Sequence, residues 1–236
     1  GDGGDELLGG YERTAISLKK GNFLNNLISK FYYLYPPILG TGNIFLSKST
    51  DLEIKYRSFL EDKKLIKLLK VSSPNNTFAD GLNYKDLNYY KKLLIADYKY
   101  FLPEMMMFKI DRTSMANSLE VRSPFVDHKL IEFIMSSKSS YLNPDNPKEI
   151  LKKYLSDDFS DDFLSRKKQG FVFDVESWVF NNIEYIEDKI TNGYVVNKLN
   201  NKIINLLSLK KSRINGQRIW KLFVLEYYLA RVFSKS

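Results

Sequence analysis

Leu87, Tyr90, Leu94, Tyr98 and Phe101 recur at steps of three and four residues, a spacing that lays one apolar stripe along a helix. Asp86 stands where an N-cap belongs, and Pro103 where that helix is expected to end. Pro103 also suits the first turn of a following helix, with Met107, Ile110, Ser114 and Leu119 on one face. The period returns at Leu130, Ile131, Ile134 and Met135 behind a capping Asp127. It returns again in a final helix expected from about Gln217 to Phe233, with Ile219, Leu222, Phe223, Leu229 and Phe233 inward. Further helices are expected from Asp5 to about Lys20, after Pro147, around Trp178 and over roughly 197–209. Residues 50–70 read as an exposed helical hairpin. Strict apolar–polar alternation is almost absent, so the chain is expected to be mainly α.

The residue inventory narrows the chemistry. With no Cys, no disulfide, Cys-ligated zinc or thiol nucleophile can be built, and a single His, His128, excludes a multi-His metal site. What remains is Asp, Glu, Lys, Arg and hydroxyl chemistry, with a hard cation such as Mg²⁺. An excess of 36 basic over 28 acidic residues gives a net charge of +8, which favours phosphate-bearing ligands. Paired lysines such as Lys19-Lys20 read as a solvated surface. The 16 Phe and 16 Tyr are too many for a disordered chain, and no apolar run reaches the roughly 20 residues of a membrane helix. The chain opens at Gly1 on a Gly-rich acidic loop of a kind that normally follows a strand, so a piece of a longer protein is expected.

Three clusters carry the chemistry. Gly1-Asp2-Gly3-Gly4-Asp5-Glu6, followed by Gly9-Gly10-Tyr11, places three acids in a glycine-rich turn ahead of a helix, a setting for a Mg²⁺-phosphate group. From Phe101 to His128, Lys109, Asp111, Arg112, Glu120, Arg122 and Asp127 mix both signs. They read as a buried ion-pair network between helices, with Glu120 and Arg122 holding the Ser123-Pro124-Phe125 turn. Ser165-Arg166-Lys167-Lys168-Gln169-Gly170-Phe171 puts cations beside a turn, as phosphate neutralisation requires.

Taken together, these segments resemble the synthetase domain of the glutamine-dependent asparagine synthetase family. Its Ser-Gly-x-Gly-x-Asp-Glu-x-x-x-Gly-Tyr loop is matched from Gly1 to Tyr11. Its Leu-Pro-Asp-Asp, Lys-x-Asp-Arg-x-Ser-Met-Ala and Leu-Glu-x-Arg-x-Pro-Phe-x-Asp segments are matched from Leu102 to Asp127, and Arg-x-Lys-Gln-Gly-Phe from Arg166 to Phe171. Residues 22–83 and 181–212 carry no match. The resemblance implies a parallel-sheet α/β domain of the adenine-nucleotide α-hydrolase-like, pyrophosphatase type, of which residues 1–236 are the helical C-terminal portion. The pyrophosphate loop and the glutaminase domain would lie upstream.

The resemblance further implies ATP and Mg²⁺, an acyl-adenylate of aspartate, ammonia from glutamine, a cytoplasmic setting without nucleic acid or membrane, and compatibility with a homodimer. Asp5 takes the role of metal ligand, and Asp2 that of an acid beside the reacting carbonyl. Lys168 takes that of the phosphate-contacting, oxyanion-stabilising lysine, Glu104 that of the retained acid of Leu-Pro-Asp-Asp, and Gly1 and Gly3 line the nucleotide. Met105 stands where the family has its second acid. That departure leaves room for a different carboxylate, such as a uronic acid of a surface polysaccharide. A basic helical nucleic-acid-binding module is the reading from another class, against which stand the dispersed cations and the lack of a recognised motif.

Overall fold

In the computed structural model, the described residues are 2–71, 84–137, 142–166, 173–199, 205 and 211–233. Every regular element among them is helical. None of those helices is long and apolar enough to cross a membrane. The chain divides into two compact units. The first comprises Gly1–Leu27, Ser47–Leu60 and Asn76–Lys168, and the second Ile28–Leu46, Glu61–Asn75 and Gln169–Ser236.

The first unit is organised on the helix Tyr89–Ala96, which is buried on two sides. Tyr90 and Leu94 join Leu7, Leu8, Ile134 and Leu142 in one cluster, while Leu93 and Ala96 meet Tyr56 in another. Asn88 is the N-cap, accepting from the Lys91 N–H at 2.9 Å, so the helix begins two residues beyond Asp86. Pro103 does not end it. The chain winds on as a π-helix over Asp97–Met107 and then as an α-helix over Phe108–Met115. A π turn bonds each carbonyl one residue further along, which accommodates a ring that lacks an N–H and would clash with the carbonyl four residues back in an α-helix.

Asp97, fully buried, anchors this unit. Its carboxylate accepts from Arg13 at 2.5 Å, from the Thr14 hydroxyl at 3.4 Å and from the Tyr56 hydroxyl. The Arg13 guanidinium also lies 3.8 Å from the Tyr11 ring centroid and 4.1 Å from that of Phe101. Burial, with Asp97 next to it, pushes the Tyr56 phenol well above its usual pKa.

In the second unit, the helix Arg213–Phe233 buries Ile219, Leu222 and Phe223 against Val179, Ile186, Ile190 and Val195, with Leu65 and Leu69 in the same core. Trp178 and Trp220 meet edge to face at 5.2 Å. Buried Glu226 accepts from the Tyr194 and Val195 N–H groups at 2.9 and 2.8 Å. Asp62 caps Lys63–Leu69 and binds Arg218 through two bonds, 2.6 and 3.2 Å; Arg218 also reaches the Pro37 and Gly40 carbonyls.

Several expectations are corrected. The final helix starts at Arg213 rather than Gln217, and Phe233 is exposed, stacked on Tyr194. Residues 50–70 are not an exposed hairpin, since Tyr56, Leu65 and Leu69 are buried, Tyr56 in one unit and the two leucines in the other. The stretch from Asp5 to Lys20 is two helices, Gly4–Leu8 and Glu12–Leu18, broken at Gly9-Gly10. Of the helix expected over 197–209, only 197–199 and 205 are described, and the first three end a π-helix, Val195–Leu199.

Candidate functional site

Gly9 adopts φ +76°, and a Cβ there would collide with the Tyr90 phenol. One on Gly10 would strike the Asp5 carboxylate and the Lys148 side chain. These two glycines let the chain turn within the width of a side chain after Leu8. Leu7 and Leu8 then drop into the core, and Tyr90 donates to the Leu8 carbonyl at 3.3 Å. Burial pushes the Tyr90 phenol up to about 12.

The three acids of the loop have separate fates. Glu6 is buried and accepts from the Tyr11 hydroxyl at 2.6 Å, so it faces the protein. That half-buried phenol is driven well above its usual pKa, first by burial and then by Glu6. Asp5 forms an ion pair with Lys148 at 2.6 Å. Asp2 is half-buried, its carbonyl accepting from the Ser123 hydroxyl. Gly3 and Gly4 lie against Phe125, the former on its backbone and the latter on its ring. The structure thus brings the first and second sequence clusters together, although about 120 residues separate Asp2 from Ser123.

The second cluster is otherwise not the buried network expected. Glu120 and Arg122 pair with each other at 2.7 Å, with side chains 68 and 86 % exposed. Two residues apart on an irregular strand of chain, they meet locally and have no helix to reach. Lys109, Asp111 and Arg112 are exposed, with Arg112 5.2 Å from the Phe108 ring, and Asp127 serves as an N-cap to Lys129 and Leu130. No residue of Phe108–Met115 is buried, so the inward face expected of Met107, Ile110, Ser114 and Leu119 is not formed; Leu119 is exposed and the other three are half-buried. Glu104 is exposed and forms no hydrogen bond or ion pair with a described residue. Gly1 and Lys168 lie outside the described residues, as does the third cluster beyond Arg166, whose guanidinium sits 4.2 Å from the Phe163 ring.

Lys148 is the partner that sequence reasoning missed. It has φ +63°, precedes the helix Glu149–Leu155, and its N–H donates to the Leu8 carbonyl at 3.3 Å. Pro147 before it and the charge-rich helix after it mark a turn, which was the available signal. Among the described residues, no cluster of three acids or histidines could enclose a metal. A Mg²⁺ ion carried by phosphates needs only one or two carboxylates, and Asp5, 21 % exposed and held by a flexible ammonium, fits that lesser demand.

The family model described as asparagine synthase matches residues 1–230. The chain is 27 % identical over 219 residues to asparagine synthetase [glutamine-hydrolyzing] 1 of Bacillus subtilis (strain 168), covering 83 % of this chain and 34 % of that protein. It is 38 % identical over 82 residues to asparagine synthetase [glutamine-hydrolyzing] 3 of the same organism, covering 34 % of this chain and 13 % of that protein. The chain therefore spans about a third, or less, of the length of these curated relatives. No solved structure matches.

Proposed function

The chain belongs to the asparagine synthase family, and from that premise we propose that it is the helical C-terminal portion of an ATP-dependent synthetase that converts a carboxylate to its amide. The carboxylate, aspartate in this reading, attacks the α-phosphate of ATP, giving an acyl-adenylate and pyrophosphate. Ammonia, released from glutamine elsewhere in the same protein, then displaces AMP. The parallel α/β sheet and the pyrophosphate loop belong to the portion outside these residues.

The observation that supports this reading best is the meeting of the opening loop, which carries Asp2 and Asp5, with the 123–125 turn. Bound Mg²⁺ would neutralise phosphate charge as pyrophosphate leaves. Asp5 is the carboxylate offered to it, and Lys148 keeps that carboxylate oriented in the meantime. Asp2 takes a proton from the attacking amine. Lys168 stabilises charge developing on the reacting oxygens, and Gly1 and Gly3 let the nucleotide approach the backbone. Glu104 is the remaining acid of its segment.

In the full-length enzyme, Lys168→Ala should cut amide formation several hundredfold, the loss of about 3–4 kcal/mol of charge stabilisation, while glutamine hydrolysis persists. An unchanged amide-forming rate overturns the assignment. A second reading, amidation of another carboxylate such as a uronic acid, rests on Met105. Exposed where the family has an acid, it offers a substrate no charge. A panel of carboxylates assayed for pyrophosphate release separates the two.

A further inference from the structure

We propose that a pocket in the first unit, between residues 17–21 and 50–55 and away from the loop discussed above, binds a phosphate group. The cavity measures about 300 Å³ and is lined by Ser17, Lys19, Lys20, Thr50, Lys55 and Tyr89 among others; no carboxylate lines it among the described residues.

Two buried groups in its wall lack what their chemistry requires. Lys55 is only 5 % exposed, and among the described residues its ammonium has one hydrogen-bond partner, the Lys19 carbonyl at 2.6 Å. The other buried charged groups among the described residues have these partners. Asp97 pairs with Arg13 and Asp62 with Arg218, Glu6 accepts from Tyr11, and Glu226 accepts two backbone N–H groups. A buried cation with no counter-charge is costly, and burial, then the nearby Lys48, hold the Lys55 ammonium below the usual lysine range. Ser17 is 3 % exposed, and its hydroxyl has no hydrogen-bond partner. A ligand carrying negative charge and several acceptor oxygens satisfies both at once.

Charge and shape select the class. An ammonium group is a point charge answered by any properly placed oxygen, and a dianion with three terminal oxygens can meet Lys55, Ser17 and a rim lysine together more readily than a carboxylate does. The volume exceeds that of one phosphate. A neighbouring hollow of about 590 Å³ shares Leu18, Lys19 and Tyr89 and gives an attached organic group room against Leu142 and Pro144. The shared chemistry is a phosphate group, either free or as the monoester of a small molecule.

The test is calorimetry and thermal melting of the 236-residue chain with inorganic phosphate, against sodium chloride at matched ionic strength. A saturable phosphate-specific rise in Tm is expected. Lys55→Met, which keeps the apolar stem, should weaken binding about tenfold, the loss of one charged hydrogen bond. If that variant does not fold, Ser17→Ala and Lys20→Gln on the rim must each weaken binding instead. Lys129→Met and Lys153→Met, at exposed lysines outside this pocket and the proposed nucleotide site, must leave it unchanged, which separates a bound phosphate from general cationic attraction. No saturable effect, or the same effect in all five variants, overturns the proposal. Glycerol phosphate binding more tightly than inorganic phosphate identifies a monoester, and the reverse identifies free phosphate.

Discussion

Asp62–Arg218 and Asp5–Lys148 have the same ion-pair distance, 2.6 Å, and opposite surroundings. The first pair is 4 and 3 % exposed, doubly bonded, and extended to two backbone carbonyls and a helix cap. The second is 21 and 34 % exposed and joins a carboxylate to the end of a flexible lysine. An arginine fork fixed on every arm can only hold chain segments in place. A lysine on a partly wet carboxylate can let go. Equal distances thus separate a clamp from a pair free to exchange partners, and the distinction lies in burial and in the number of bonds.

The contrast breaks first at Arg218. Arg218→Ala should destabilise the protein by about 3–5 kcal/mol, because it leaves Asp62 buried and charged without its partner. Urea unfolding measures it; a loss below about 1 kcal/mol would make the clamp no different from the exposed pair. Next in size is Gly9→Ala, where a positive φ and the Tyr90 phenol both oppose a methyl group. A cost of about 1–3 kcal/mol is expected, and wild-type stability in thermal melts would mean that the turn after Leu8 yields easily.

Asp5→Asn sharpens the comparison from the other side. The stability change should stay below about 1 kcal/mol, as for partly exposed pairs, while the full-length enzyme needs more Mg²⁺ for adenylate formation. An unchanged Mg²⁺ dependence would make Asp5 as structural as Asp62. The smallest effect belongs to Glu120→Ala, within about 0.5 kcal/mol, since its pair with Arg122 stands in solvent. A larger loss would show that this pair supports the neighbouring turn after all.

Helices with a strong apolar period were legible in the sequence. The stripe Leu130, Ile131, Ile134, Met135 behind Asp127 forms as the spacing dictates, with Ile134 buried and its neighbours packed on the same core. Pro103 misled, because the rule that a proline stops a helix assumes α geometry, and the chain took the wider turn instead. Glu120 and Arg122 misled for another reason. Opposite charges close in sequence look the same whether they bridge two helices or simply each other. Lys55 was invisible among many lysines, since only the packing of Tyr56 and its neighbours decides which of them is taken out of water. Lys148 lay outside every motif, reachable only through the fold that returns it to Asp5.

The loosely wound stretch from Asp97 to Met107 has a consequence for how this chain tolerates change in length. A residue added to or removed from a regular helix rotates everything beyond it by about 100°. Here Asp97 is locked at one end by Arg13, and Ser123 and Phe125 meet Asp2 and Gly3 at the other. The wide turns set the angle at which the downstream segment leaves. Shortening them by one residue would swing the 123–125 turn away from the acidic loop without altering any side chain in either. The number of residues between Leu94 and Ser123 is therefore as much a part of this contact as Asp2 or Asp5, and insertions belong elsewhere, in the connections that no such angle depends on.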